Sequence, residues 1–279
     1  MEVIGAVGAM AAMARRLAFN RKRSNHGPHP LELMASVQDT RSALRVGHRI
    51  AGVYAITPDH LDSTSLLSTS KLLFAAGVRN IQYRRKLTPA KAQLIEAQHL
   101  QSLAKSFGAN LIINDNLALA LEIGASGVHW GRDDVCSANI ESLAREIDDA
   151  RARAAGAGLL APFMVGISCY NDFARAQIAA DAGASYVAFG SMFPSSTKPL
   201  AVAAPISLIQ RGKRELGTPV VAIGGITRDN AATLIDAGVD AIAVISDLFS
   251  ASNNAELVER VAAFQRLFEL RSVTTNETY

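Results

Sequence analysis

The stretch Phe193-Pro194-Ser195-Ser196-Thr197-Lys198-Pro199 sets three hydroxyls and one ammonium between two prolines. Proline fixes φ, so the loop is stiffened, and hydroxyls beside a cation suit a phosphate ester. Taken alone, the same residues describe a solvated Ser/Thr turn. A second cluster changes the balance. Gln82, Arg84 and Lys86 stand at i, i+2 and i+4, which on a strand puts all three on one face and leaves Tyr83 and Arg85 on the other. Two inward cations without a partner would be costly, and the pair matches a diphosphate better than a single carboxylate.

Asn114-Asp115 ends a third apolar run, and a fourth leads through His129-Trp130-Gly131-Arg132 into Asp133-Asp134. Carboxylates on these neighbouring strand ends, beside Lys and Arg, point to Mg2+ held by one or two protein oxygens, with phosphate oxygens and water completing the shell. An isolated Asn-Asp also reads as a helix cap. His129, inside its run, reads as a hydrogen-bonded structural group rather than a base. Ser168 closes a fifth run. Gly224-Gly225 follow a seventh, and Ile245-Ser246 follow an eighth just before the short segment Asp247-Leu248-Phe249. Paired glycines with a brief helical turn after the last strand make a backbone cradle for a phosphate. The chain therefore offers two anion sites, one for a diphosphate with its metal and one for a monophosphate, with Ser195 to Lys198 between them.

Eight short runs must position these residues: Gly52–Thr57, Asn80–Arg84, Asn110–Ile113, Gly127–Trp130, Phe163–Ser168, Ser185–Phe189, Pro219–Ile223 and Asp240–Ile245. Between them lie stretches with helical spacing, such as Thr88–Phe107, Asn116–Ile123, Asn171–Ala182 and Arg228–Ala237, stopped by Gly108, Gly124, Gly183 and Gly238. Eight strand-helix units predict a (β/α)8 TIM barrel, an α/β fold, over residues 49–270. Residues 1–48 read as a short basic N-terminal extension and 271–279 as a tail. Ile140 to Ala161 reads as a surface elaboration.

Of 279 residues, 49% are hydrophobic, ample for a barrel-sized core. Residues 1–50 hold eight Lys and Arg against three acids, an excess of five, so the net charge of +3 leaves −2 for residues 51–279. The body therefore shows no nucleic-acid surface. Cys136 and Cys169 make no metal spacing or disulfide framework, which places the chain in a reducing compartment. No run is long enough for a membrane span. Val3–Met13 is short, and Arg15 and Arg16 follow it where a signal peptide carries charge before, so the expected location is cytoplasmic. The extension faintly resembles an organelle presequence, and Met34 offers an alternative start.

On these residues the chain resembles the thiamine-phosphate synthase family, over Ala51 to Leu270. Gln82-Tyr83-Arg84-Arg85-Lys86 is similar to its Q-x-R-x-K motif, Ile113-Asn114-Asp115 to I-N-D, and Val128 to Asp134 to V-H-L-G-Q-x-D. Gly166-Ile167-Ser168 is similar to G-V-S, Phe193 to Lys198 to F-P-T-x-T-K, and Ala222 to Ile226 to A-I-G-G-I, with Val244-Ile245-Ser246 as the seventh match. The resemblance implies that an aminopyrimidine methyl diphosphate is coupled to a thiazole phosphate with release of diphosphate. It implies that Gln82, Arg84, Lys86, Asn114 and Lys198 hold the pyrimidine diphosphate, that Ser168 meets the pyrimidine, and that Asp115 and Asp134 hold Mg2+. Ser195, Thr197, Gly224, Gly225, Ile245 and Ser246 would hold the thiazole phosphate. Lys198, Arg84, Lys86 and Ser168 would carry the catalysis. The partners are then small molecules, neither nucleic acid nor membrane, with a homo-oligomer left open. Arg132 stands where the family has glutamine, Trp130 where it has leucine and Ser195 where it has threonine, and Arg132 is placed to compete for a carboxylate. The related thiazole tautomerases carry a histidine at the place of Tyr170 and lack the full diphosphate and metal set. A non-catalytic thiazole-phosphate-binding regulator would bind without turnover, and the metal pair argues against it.

Overall fold

The computed structural model describes residues 49–132, 134–135, 139–159, 162–194 and 202–276, with side chains described to residue 271. The extension at 1–48 and the loop residues Ser195, Thr197 and Lys198 lie outside the described residues, as do Asp133 and Cys136.

Strand and helix alternate throughout. The strands are β1 (Gly52–Ile56), β2 (Asn80–Tyr83), β3 (Asn110–Asn114), β4 (Gly127–Trp130), β5 (Met164–Tyr170), β6 (Tyr186–Gly190), β7 (Val220–Ile223) and β8 (Ala241–Val244). Neighbours in sequence pair in parallel and β8 returns to β1, closing the barrel. The helices are α1 (Ser63–Ala75), α2 (Ala90–Ser106), α3 (Leu117–Glu122), α4 (Ile140–Gly156), α5 (Phe173–Asp181), α6 (Ser207–Glu215), α7 (Ala231–Asp236), α8 (Ser246–Phe249) and α9 (Asn254–Asn276). Several begin on a side-chain cap of the kind that stabilises the unpaired first turn: Asp62, Asn116, Asn139 and Asp172 each accept a backbone N–H three residues on. The last helix continues past Leu270 to Asn276. No helix among the described residues is long and apolar enough to cross a membrane.

The segment from Ile140 is not a surface elaboration. Its α4 buries Leu143, Ile147, Ala150 and Ala154, at spacings of four, three and four residues, against the outer face of the barrel. It is the ordinary helix between β4 and β5.

Alternation along each strand sorts the core into two bodies. Residues such as Val53, Ile81, Ile113 and Val165 face the helices. Tyr54, Ile56, Ile112, Met164, Tyr186, Val221 and Ala243 fill the barrel interior. Large and small interior side chains interdigitate. A Cβ at Gly166 would stand 2.0 Å from the Tyr186 ring, so only glycine lets that tyrosine cross the interior. Polar Asn80 and Asn110 lie below, joined by a 2.9 Å hydrogen bond, while chemistry-bearing residues of the same parity rise toward the carboxyl ends of the strands.

Candidate active site

A cavity of about 770 Å³ opens at the carboxyl ends of the strands. Gln82, Arg84, Lys86, Asn114, Asp115, Asp134 and Ser168 line one part of it. Gly224, Gly225, Ile245 and Ser246 line another. By strand order these two sets lie across the barrel from each other.

β2 stops at Tyr83, one residue short of the expected end, yet Arg84 and Lys86 keep the inward parity of Gln82. Thr57 makes this possible. Its buried Oγ1 accepts the Arg84 N–H at 2.8 Å and donates to the Arg84 carbonyl at 3.2 Å, extending the β1–β2 ladder by one side chain. The Arg84 guanidinium then pairs with Asp59 at 2.9 Å, and the other carboxylate oxygen of Asp59 is buried with no hydrogen-bond partner. Arg85 takes the opposite face and is buried against Glu96 through two 3.3 Å contacts. Glu96 also accepts from Tyr83 Oη and Ser63 Oγ, both at 2.6 Å, and Arg85 donates to the carbonyls of Pro58 and Asp59. A buried ion pair of this kind holds the β1–α1 turn, and Asp59 with it, against the end of β2. Burial first, and then Glu96, push the Tyr83 hydroxyl well above its usual range.

Asp115 follows β3 in the left-handed region, with φ of 62°, and pairs with Lys86 at 2.9 Å. Asp134 accepts the Gly131 N–H at 2.8 Å. Burial of the carboxyl, then the hydrogen bond and charge of Asp115, hold Asp134 above the usual carboxylate range. Two neighbouring carboxylates that repel one another form a hard-oxygen donor pair suited to a divalent cation. Among the described residues no cluster of three or more acidic, His or Cys ligands exists, so such a cation would take its remaining ligands from phosphate oxygens and water. Arg132 makes no ion pair with Asp134. Its guanidinium sits 4.8 Å from the Tyr170 ring centroid, and its backbone N–H donates to the Tyr170 hydroxyl.

His129 turns into the barrel. Nε2 lies 2.9 Å from Ser168 Oγ and Nδ1 lies 3.0 Å from Tyr186 Oη, with the two rings stacked. Burial lowers its pKa to about 4, against the opposing pull of Asp134, so the ring is neutral at physiological pH. Arg175 donates to the carbonyls of Ser168 and Gly131, tying the end of β5 to the loop after β4. Across the barrel, Gly225 has φ of 64° and a carbonyl bound by the Asn230 amide. The Gly224 carbonyl accepts from Phe193, which docks the start of the loop after β6 onto this turn. α8 begins at Ser246 beside it.

Sequence reasoning passed over Thr57, Asp59, Tyr54 and Tyr186. Inward parity in β1 and β6 was the available signal for the two tyrosines, while Thr57 closes the first run and acts on a neighbouring element, and Asp59 lies in the following turn, which carries no periodicity.

The sequence model described as thiamine monophosphate synthase matches residues 53–248. The chain is 48% identical to the thiamine-phosphate synthase of Azoarcus sp. (strain BH72) over 223 residues, 80% of this chain and 100% of that one. It is 43% identical to the thiamine-phosphate synthase of Aromatoleum aromaticum, covering 79% and 98%. Among solved structures, the thiamine phosphate pyrophosphorylase from Pyrococcus furiosus superposes with a TM-score of 0.64 at 26% identity, covering 81% of this chain and 98% of that chain.

Proposed function

The chain belongs to the thiamine monophosphate synthase family, and from that premise we propose how its residues share the reaction. The activity is that of a transferase of thiamine biosynthesis, joining an aminopyrimidine methyl diphosphate to a thiazole phosphate with release of diphosphate. One observation carries the assignment of residues: a single cavity with a cluster of cations and carboxylates at the ends of β2 to β4 and a glycine turn at the ends of β7 and β8. The first matches the diphosphate, the second the monophosphate.

Arg84 and Lys86 neutralise the diphosphate, Gln82 and Asn114 orient it, and Ser168 meets the pyrimidine. Asp115 and Asp134 would hold a Mg2+ ion, which when bound adds positive charge beside the leaving group. Gly224, Gly225, Ile245 and Ser246 receive the thiazole phosphate through backbone groups, and Ser195, Thr197 and Lys198 complete the enclosure from the loop after β6. The chain's own part is to align the thiazole nitrogen with the pyrimidine methylene and to offset charge as it builds on the departing diphosphate. The free Cys169 and the biosynthetic activity support a cytoplasmic setting.

The test is diphosphate release by the purified protein with both substrates and Mg2+, each omitted in turn. Release that requires all three supports the reading, and release without thiazole phosphate overturns it. Asp115→Ala should abolish turnover while leaving the circular dichroism unchanged; retained turnover would remove the metal assignment.

A further inference from the structure

Five polar side chains run in series through the barrel interior. Gln82 Nε2 lies 2.9 Å from Tyr54 Oη, Tyr54 Oη lies 2.9 Å from Tyr186 Oη, Tyr186 Oη lies 3.0 Å from His129 Nδ1, and His129 Nε2 lies 2.9 Å from Ser168 Oγ. The series passes from β2 to β1, crosses to β6 and β4, and ends on β5 at the cavity. Its first four members are buried.

The hydrogens of such a chain are set by its end groups. The Gln82 amide nitrogen can only donate, so Tyr54 Oη accepts and its own proton points on to Tyr186. Tyr186 then donates to His129 Nδ1. A neutral imidazole that accepts at Nδ1 carries its proton on Nε2, which donates to Ser168 Oγ. The Ser168 hydroxyl, which accepts from His129 and cannot donate back to it, is left with a proton to give. The opposite direction would leave the Tyr54 hydroxyl hydrogen without an acceptor among the described residues, a costly outcome in a buried site.

We propose that this series makes Ser168 a committed hydrogen-bond donor toward the cavity, with Tyr54, Tyr186 and His129 as positioning residues for it. The proposal rests on the reading that Ser168 meets the pyrimidine, and it deepens that reading: the group recognised is an acceptor, a ring nitrogen of the aminopyrimidine, rather than its amino group. Hydrogen bonds in series polarise one another, so the terminal hydroxyl is a better donor than an isolated serine.

The direction is read in the ligand-free protein by long-range 1H–15N correlation of the imidazoles at pH 7. The chain has six histidines, and the His129 signal is the one lost in His129→Asn. The Nε2–H tautomer is expected, and an Nδ1–H tautomer overturns the proposal. Tyr186→Phe should lower kcat/KM about tenfold, the size of one lost hydrogen bond. In a Ser168→Ala background the same change should matter less than about twofold, because the two residues act through one contact. Equal losses in both backgrounds would mean Tyr186 is merely structural and would overturn its role. The tautomer measurement needs no substrate, so its failure is distinct from failure of the proposed activity.

Discussion

His129 gives the fold an acid limit that can be calculated. Its pKa falls from 6.5 to about 4 chiefly because the ring is buried, with Asp134 only partly opposing the shift. The unfolded chain therefore takes up a proton between these values while the folded chain does not. Stability from this group is complete above the unfolded pKa and drains as pH falls toward the folded one. At about 1.4 kcal/mol per unit the full loss is about 3 kcal/mol, and about 2 kcal/mol of it is gone between pH 7 and pH 5. The perturbation is His129→Gln, which cannot titrate. Urea unfolding at the two pH values, followed by circular dichroism and by the fluorescence of the single tryptophan, buried Trp130, gives the stability of each protein. Whatever the substitution costs in packing appears at both pH values and cancels, as do the remaining titrating groups. The wild type should lose about 2 kcal/mol more than the variant between pH 7 and pH 5. Equal losses would refute the claim that a buried neutral His129 limits acid stability.

Three further outcomes follow from the site. Asp59→Asn removes the 2.9 Å partner of Arg84; because both side chains are about a quarter exposed, stability should change by less than about 1 kcal/mol, while KM for the pyrimidine diphosphate rises several-fold and that for thiazole phosphate stays put. Unchanged or tighter diphosphate binding would show that Asp59 does not position Arg84. Gly225→Ala puts a Cβ 2.5 Å from the carbonyls of Phe193 and Pro194 at a φ of 64°, so stability should fall by about 1–3 kcal/mol and KM for thiazole phosphate should rise selectively. A selective rise for the other substrate would reverse the assignment of the two anion sites. Glu96→Gln leaves Arg85 buried without its counter-charge and should cost about 3 kcal/mol in urea unfolding, with a loss under about 1 kcal/mol counting against the buried pair as the anchor of the β1–α1 turn.

What was legible in the sequence follows from which structures are local. Alternation placed Gln82, Arg84 and Lys86 on one face, and that parity survives even though β2 ends at Tyr83, because Thr57 prolongs the ladder. The strand-helix rhythm predicted a closed barrel, which is what forms. α4 was misread because two of its four buried positions are alanines and its exposed face is dense with charge, a weak apolar signal for a helix that is nonetheless packed. The interior hydrogen-bond series could not be read at all. Its members come from β1, β2, β4, β5 and β6, and they meet only because the sheet closes and Gly166 yields space to Tyr186. Asp59 was equally hidden, since its partner Arg84 lies just past the end of β2.

A serine 2.9 Å from a histidine invites the reading of an activated nucleophile, and the surroundings argue against it. Activation requires a ring basic enough to take the hydroxyl proton and a third group, usually a carboxylate, to stabilise the resulting cation. Here the ring's pKa is held near 4 and its far nitrogen faces the hydroxyl of Tyr186, which offers no charge. In the direction assigned above, His129 gives a hydrogen bond to Ser168 and cannot simultaneously accept its proton. The cysteine among the described residues, Cys169, is buried with its thiol pushed up to about 12 and does not line the cavity. What remains at the mouth is fixed charge, with Arg84 and Lys86 each paired to a carboxylate; on the proposed reading, phosphate oxygens replace those partners. Such a site accelerates a reaction by holding two substrates in line and compensating the charge that leaves with diphosphate, which needs no covalent intermediate with the protein.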